Sequence, residues 1–147
     1  MSKNLISIGE YAFSECLNLK DIEFDKNTEL KEIGMYAFYK CKNLVDVSFV
    51  KDTGLAIIDE STFAACSNLT YVSFPDTLTS IEDTAFHSCF KLQEIQLPPK
   101  LTTIGDFAFA DCRSLEKIII PNTITIPGSV TRIGKGVFAD CRKLKTI

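Results

Sequence analysis

The sequence predicts an α/β repeat solenoid forming one domain over residues 1–147, and three observations carry that prediction. The six cysteines, Cys16, Cys41, Cys66, Cys89, Cys112 and Cys141, stand at steps of 25, 25, 23, 23 and 29 residues. Six phenylalanines, Phe13, Phe38, Phe63, Phe86, Phe109 and Phe138, keep those steps, each three residues before its cysteine. In all, eight columns align through five complete units and a sixth that breaks off at Ile147. Self-similarity at such a period marks units that stack because none can bury its apolar face alone.

Each unit opens on an isoleucine (Ile8, Ile33, Ile58, Ile81, Ile104, Ile133), with a leucine or Val130 three residues before it. A small residue follows (Ala12, Ala37, Thr62, Ala85, Ala108, Val137), then the phenylalanine and the cysteine. Residues three and four apart share a face in a helical turn, so Ala12, Phe13 and Cys16 predict a short helix or 3-10 turn. In Leu19-Lys20-Asp21-Ile22-Glu23-Phe24 the apolar Ile22 and Phe24 alternate with acids, which is strand period. Turn residues link the units: Pro75-Asp76, Pro98-Pro99, Pro121-Asn122 and Pro127-Gly128. Asp59 and Glu82 stand in the column that holds Gly9, Gly34, Gly105 and Gly134, so that column does not demand a left-handed backbone. The long fifth step comes from two six-residue segments of one pattern, 120–125 and 126–131. This insertion is expected to bulge after the fifth strand and leave the stack intact.

Composition narrows the function. A formal charge of −3 without clustered Lys and Arg argues against nucleic acid as a partner. No apolar run approaches the roughly 20 residues that span a bilayer. Met1-Ser2-Lys3-Asn4-Leu5 does not read as a signal peptide. Both ends look like cuts in a longer array, and the unclosed last unit is expected to fray and to allow weak end-to-end self-association through its strand edge.

The cysteines form no Cys-x-x-Cys pair and lie at least 23 residues apart. Neighbouring ones would stand about 5 Å apart in a stack. Their parallel side-chain vectors suit buried, reduced thiols better than disulfides. His87, the only histidine, reads as an exposed surface residue, although Ser88 and Cys89 follow it. Asn68-Leu69-Thr70 matches the N-glycosylation pattern in a column shared with Asn18 and Asn43.

The strand residues that point away from the core form two rows. Asp21, Asp46, Tyr71, Glu94, Lys117 and Thr146 make one, and Glu23, Ser48, Ser73, Gln96 and Ile119 the other. The first end is acidic, the middle aromatic, and the fifth unit cationic and apolar. Two stacked carboxylates fall short of the six or more oxygens that calcium takes, so neither metal nor cofactor is expected. Tyr71 offers the aromatic anchor enriched in interfaces, which makes these rows the candidate partner-binding surface.

The segment Leu19-x-x-Ile22-x-Phe24 resembles the strand core of leucine-rich repeats. The fuller run Ile-Gly-x-x-Ala-Phe-x-x-Cys-x-x-Leu-x-x-Ile, quoted almost unchanged by residues 8–22 and 104–118, resembles the BspA-like class. The resemblance covers nearly the whole chain; the insertion and the acids at Asp59 and Glu82 depart from it. It implies a right-handed superhelix with a parallel β-sheet on the concave face and short helical or 3-10 turns opposite. It also implies a cell-surface or secreted protein that adheres to host extracellular-matrix or cell-surface proteins. The expectation is therefore a non-catalytic protein-binding or adhesion module. An intracellular scaffold on the same solenoid is the second reading, which unpaired thiols would suit. A polysaccharide-active enzyme comes third: it needs two carboxylates about 5 to 10 Å apart, and the outward face shows no pocket-forming insertion.

Overall fold

The computed structural model describes residues 1–120 and 130–147. Eleven short strands run through them: β1 (Ser7–Ile8), β2 (Asp21–Glu23), β3 (Glu32–Ile33), β4 (Asp46–Ser48), β5 (Ile57–Ile58), β6 (Tyr71–Ser73), β7 (Ser80–Ile81), β8 (Glu94–Gln96), β9 (Thr103–Ile104), β10 (Lys117–Ile119) and β11 (Arg132–Ile133). The three-residue strands realise the predicted alternation: the middle residue is buried and the first exposed in every one.

All pairings are parallel and join equivalent positions of successive units. Ile22 lies beside Val47 and Val47 beside Val72, with β2, β4 and β6 in one sheet. Strands β8 and β10 form a second sheet, extended by a bridge from Lys117 to Thr146. The two-residue strands make another pair of sheets, β1–β3 and β5–β7–β9–β11. The result is a parallel-strand β-solenoid. Pairing of Ile133 with Ile104 carries the stack across the 29-residue step. The expected bulge, with Pro121 and Pro127-Gly128, lies outside the described residues.

The expected helical turns do not form: the described residues contain no helix. Instead Tyr11 and Glu15 have left-handed backbones, at φ 55° and 58°, and so do their counterparts in every unit, through Gly136 and Asp140. The N–H groups divide the work between them. Those of Tyr11, Phe13 and Glu15 donate to Met35, Ala37 and Tyr39 of the next unit at 2.7 to 3.1 Å. Those of Ala12, Ser14 and Cys16 close turns within their own unit. A helix would send every N–H to its own segment and leave the neighbouring unit's carbonyls unpaired. Bonding along the stack wins, at a conformational cost of about 1–2 kcal/mol for each left-handed non-glycine residue.

The core is continuous. Phe38, Phe63, Phe86 and Phe109 are fully buried, and the six-ring column stacks at 5.2 to 5.9 Å between centroids. The cysteines do more than fill space. Each thiol from Cys41 to Cys141 donates to the phenylalanine carbonyl of the preceding unit at 3.0 to 3.3 Å. That carbonyl also accepts the backbone N–H of its own unit's cysteine, so both its lone pairs are used. The glycine column has a different requirement from φ. A Cβ on Gly105 would come within 2.5 Å of the Asp83 backbone nitrogen. The bare Cα lets Asp106 N–H reach the Asp83 carboxylate at 2.6 Å.

Candidate functional site

The two outward rows stand where alternation placed them. Asp21, Glu23, Asp46, Ser48, Tyr71, Glu94, Gln96, Lys117 and Thr146 are exposed, and Ser73 and Ile119 are half-buried. The register brings Asp21 beside Asp46, Asp46 beside Tyr71 and Glu94 beside Lys117. None of Asp21, Glu23, Asp46, Glu94 and Lys117 belongs to an ion pair among the described residues; those pairs use Glu15, Asp106, Asp111, Glu116 and Asp140. The strand face therefore holds carboxylates outside any ion pair, Asp21 and Asp46 about 4.8 Å apart from strand to strand and Glu94 with Lys117 as its neighbour on the next strand.

The rows do not form one unbroken sheet. Strands β6 and β8 are neighbours without ladder pairing. Elsewhere a backbone bond crosses each junction just before the strand: Val45 to Lys20, Thr70 to Val45, Glu116 to Gln93 and Lys145 to Glu116, at 2.8 to 3.1 Å. The equivalent bond from Gln93 N–H to the Thr70 carbonyl is not made. The interruption falls where two consecutive units share the shorter connection, with nine residues from Val72 to Ile81 and from Ile95 to Ile104 against eleven from Val47 to Ile58.

A cleft of about 750 Å³ opens at this junction. Tyr71 and Ser73 line one side, Gln93, Glu94 and Gln96 the other. The buried Val72, Phe74 and Leu97 form its base, with Lys51, Asp76, Pro98 and Pro99 around its end. The face shows no pocket-forming insertion in the sequence; the cleft opens where the ladder stops.

Other candidate groups are arranged differently from expectation. His87 is half-buried rather than exposed, and its Nδ1 lies 2.9 Å from Ser88 Oγ. That hydroxyl also lies 3.4 Å from Asp111, whose carboxyl the Arg113 guanidinium holds below its ordinary range. With its hydroxyl directed to a carboxylate, Ser88 relays a surface hydrogen-bond chain. Four cysteines are buried and unpaired; Cys16 and Cys141 are half-buried, at the ends of the column. Burial pushes the Cys41 thiol up to about 11 and those of Cys66, Cys89 and Cys112 further, which keeps them protonated. No group of three or more His, Cys, Asp or Glu side chains among the described residues is arranged to hold a metal ion. No helix there is long and apolar enough to cross a membrane. Asn68 reaches back to Asn43, and Asn43 to the Leu17 carbonyl, so the sequon asparagine sits in a short amide ladder.

One surface feature went unread in the sequence. Tyr11 and Tyr36 stack at 4.9 Å, Tyr39 meets Tyr36 edge-on at 5.6 Å, and Lys40 lies over Tyr39. The signal was present: Tyr11 and Tyr36 share one column at the 25-residue step.

A family model described as BspA type leucine rich repeat region matches the chain in six copies, over residues 1–115 and 122–147. A leucine-rich repeat protein from Bacteroides ovatus is 33% identical with a TM-score of 0.80, over 96% of this chain and 34% of that one. The T. pallidum leucine rich repeat protein is 31% identical with a TM-score of 0.78, over 94% of this chain and 60% of its own. A leucine rich cell surface protein from Faecalibacterium prausnitzii is 30% identical with a TM-score of 0.74, over 97% of this chain and 42% of that protein. The chain thus spans between a third and three-fifths of the length of these structures. Among curated proteins, none matches the chain.

Proposed function

We propose a partner-binding role, because this chain belongs to the BspA-type leucine-rich repeat family. It serves as a non-catalytic protein-binding or adhesion module of a cell-surface or secreted protein, and its partner is a host matrix or cell-surface protein. The strand face, as the concave side of a right-handed superhelix, makes the contact. The observation that carries this reading is the run of outward side chains from Asp21 to Glu94, its carboxylates outside any ion pair among the described residues, with Tyr71 at its centre beside a cleft. Interfaces concentrate their energy in such central aromatic anchors. The likeness to the Faecalibacterium leucine rich cell surface protein supports the surface location. Free thiols favour a second reading, an intracellular scaffold that uses the same face.

The test is adhesion of the full chain to immobilised host matrix proteins and to cells. A combined Asp46→Asn, Tyr71→Ala, Glu94→Gln variant, folded by circular dichroism, loses binding, whereas Tyr11→Ala keeps it. Retention by the triple variant would overturn the assignment of the face.

A further inference from the structure

We propose that the cleft between β6 and β8 seats an arginine side chain from an extended, basic segment of the protein partner, an inference that rests on the binding role above. Three observations converge on this ligand. Tyr71, 52% exposed, presents its ring at one wall, and Glu94 stands exposed on the other without an ion pair. The missing Gln93–Thr70 bond leaves a backbone carbonyl free to accept where a continuous sheet would have used it. Val72, Phe74 and Leu97 supply an apolar base for a methylene stem.

A guanidinium answers these features together. It is flat, offers five donors and no acceptor, stacks on aromatic rings and pairs with carboxylates through two bonds at once. An ammonium has the charge but neither the plane nor the fork.

Charge sets the direction of the segment. Asp21, Glu23, Asp46 and Glu94 occupy the outward rows from β2 to β8, and no cation stands in those rows before Lys117. Lys117, the register partner of Glu94, and Lys51 at the cleft end are the cations that bound the site. A basic segment anchored at the cleft therefore runs toward β4 and β2. Asp21 lies two strand spacings from Tyr71, roughly 10 Å, which about three residues of extended chain cover. A second basic residue three positions from the anchoring arginine meets the Asp21–Asp46 pair.

The experiment is an NMR titration of the full chain with a short Gly/Ser peptide carrying two arginines three residues apart. Its two-lysine and two-glutamate counterparts and a neutral oligosaccharide serve as comparison probes. The arginine peptide shifts Tyr71, Ser73, Glu94 and Gln96, binds several-fold tighter than the lysine peptide, and weakens as salt is added. Glu94→Gln and Tyr71→Ala each weaken it by about tenfold, while Glu15→Gln on the side turns leaves it unchanged. No binding of the arginine peptide, binding that ignores Glu94→Gln and Tyr71→Ala, or equal binding of lysine would overturn the proposal. So would an oligosaccharide that perturbs these residues while the arginine peptide is silent. If any of these occurs while the strand-face triple variant still abolishes adhesion, the arginine proposal falls and the binding role stands. If the arginine peptide behaves as expected and the triple variant still adheres, it is the role of the face in adhesion that fails.

Discussion

Truncating Phe63 to alanine tests whether the stack is a one-dimensional array of coupled units. Its ring is fully buried, stacked at 5.3 Å on both Phe38 and Phe86, and met edge-on by Phe49 at 6.3 Å. Removing a fully buried phenylalanine costs about 3–5 kcal/mol, and the lost ring pairs, at about 0.5–1.5 kcal/mol each, place this site in the upper part of that range. Phe138 is half-buried and stacks on Phe109 alone, at 5.9 Å. With less area to lose and one partner instead of two, Phe138→Ala is expected to cost roughly half as much. Urea unfolding followed by circular dichroism reads both, provided the slope m stays that of the parent chain. A smaller m for Phe138→Ala would mean that the sixth unit melts separately, itself a property of nearest-neighbour coupling. Equal losses at the two sites with unchanged m would refute the reasoning, because stability would then not depend on how many neighbours a unit has.

Thiol titration without reductant should label Cys16 and Cys141 first, leave Cys41, Cys66, Cys89 and Cys112 slow in the native state, and reach six after denaturation; a total below six would reveal disulfides. Stability should fall as pH rises above about 9. The buried thiols keep their protons in the folded chain, with Cys41 raised to about 11, while the unfolded chain releases them, so the native state binds more protons in that window. Cys89→Ala should flatten this alkaline slope relative to the parent chain, and an unchanged slope would remove the thiols as its cause. Hydrogen exchange should be fastest over residues 134–147, where Ile147 is 69% exposed and a single bridge holds Thr146, and slowest at Val47 and Val72. Uniformly slow exchange to Ile147 would contradict that gradient.

What was legible in the sequence, and what was not, follows from where each signal resides. Column residues such as Ile8, Phe13, Cys16 and Leu19 are chosen by burial, and burial acts on residue type at a fixed position, so alignment alone reads them. The same holds for the outward rows, since Asp21 and Glu23 must face away if Ile22 faces in. The coil conformation is chosen by something else. Tyr11, Glu15, Lys40 and Ala65 are ordinary residues with no preference for positive φ, and hydrogen bonds to the next unit hold them there. Ala12, Phe13 and Cys16 have the spacing of a short helix or 3-10 turn, but spacing is local and the competing partners lie about 25 residues away. The thiol's role escaped for the same reason: the acceptor of Cys66 is the Phe38 carbonyl, 28 residues back. The cleft lies between these cases. Its walls, Tyr71 and Glu94, were read as surface, yet the opening depends on a ladder that stops. The change of step from 25 to 23 with Pro75 and Pro98 marks that place, since a shortened connection alters how a strand leaves its layer without altering any column. In a stacked array the departures from period are thus where site-forming geometry enters, because strict repetition yields only a uniform face.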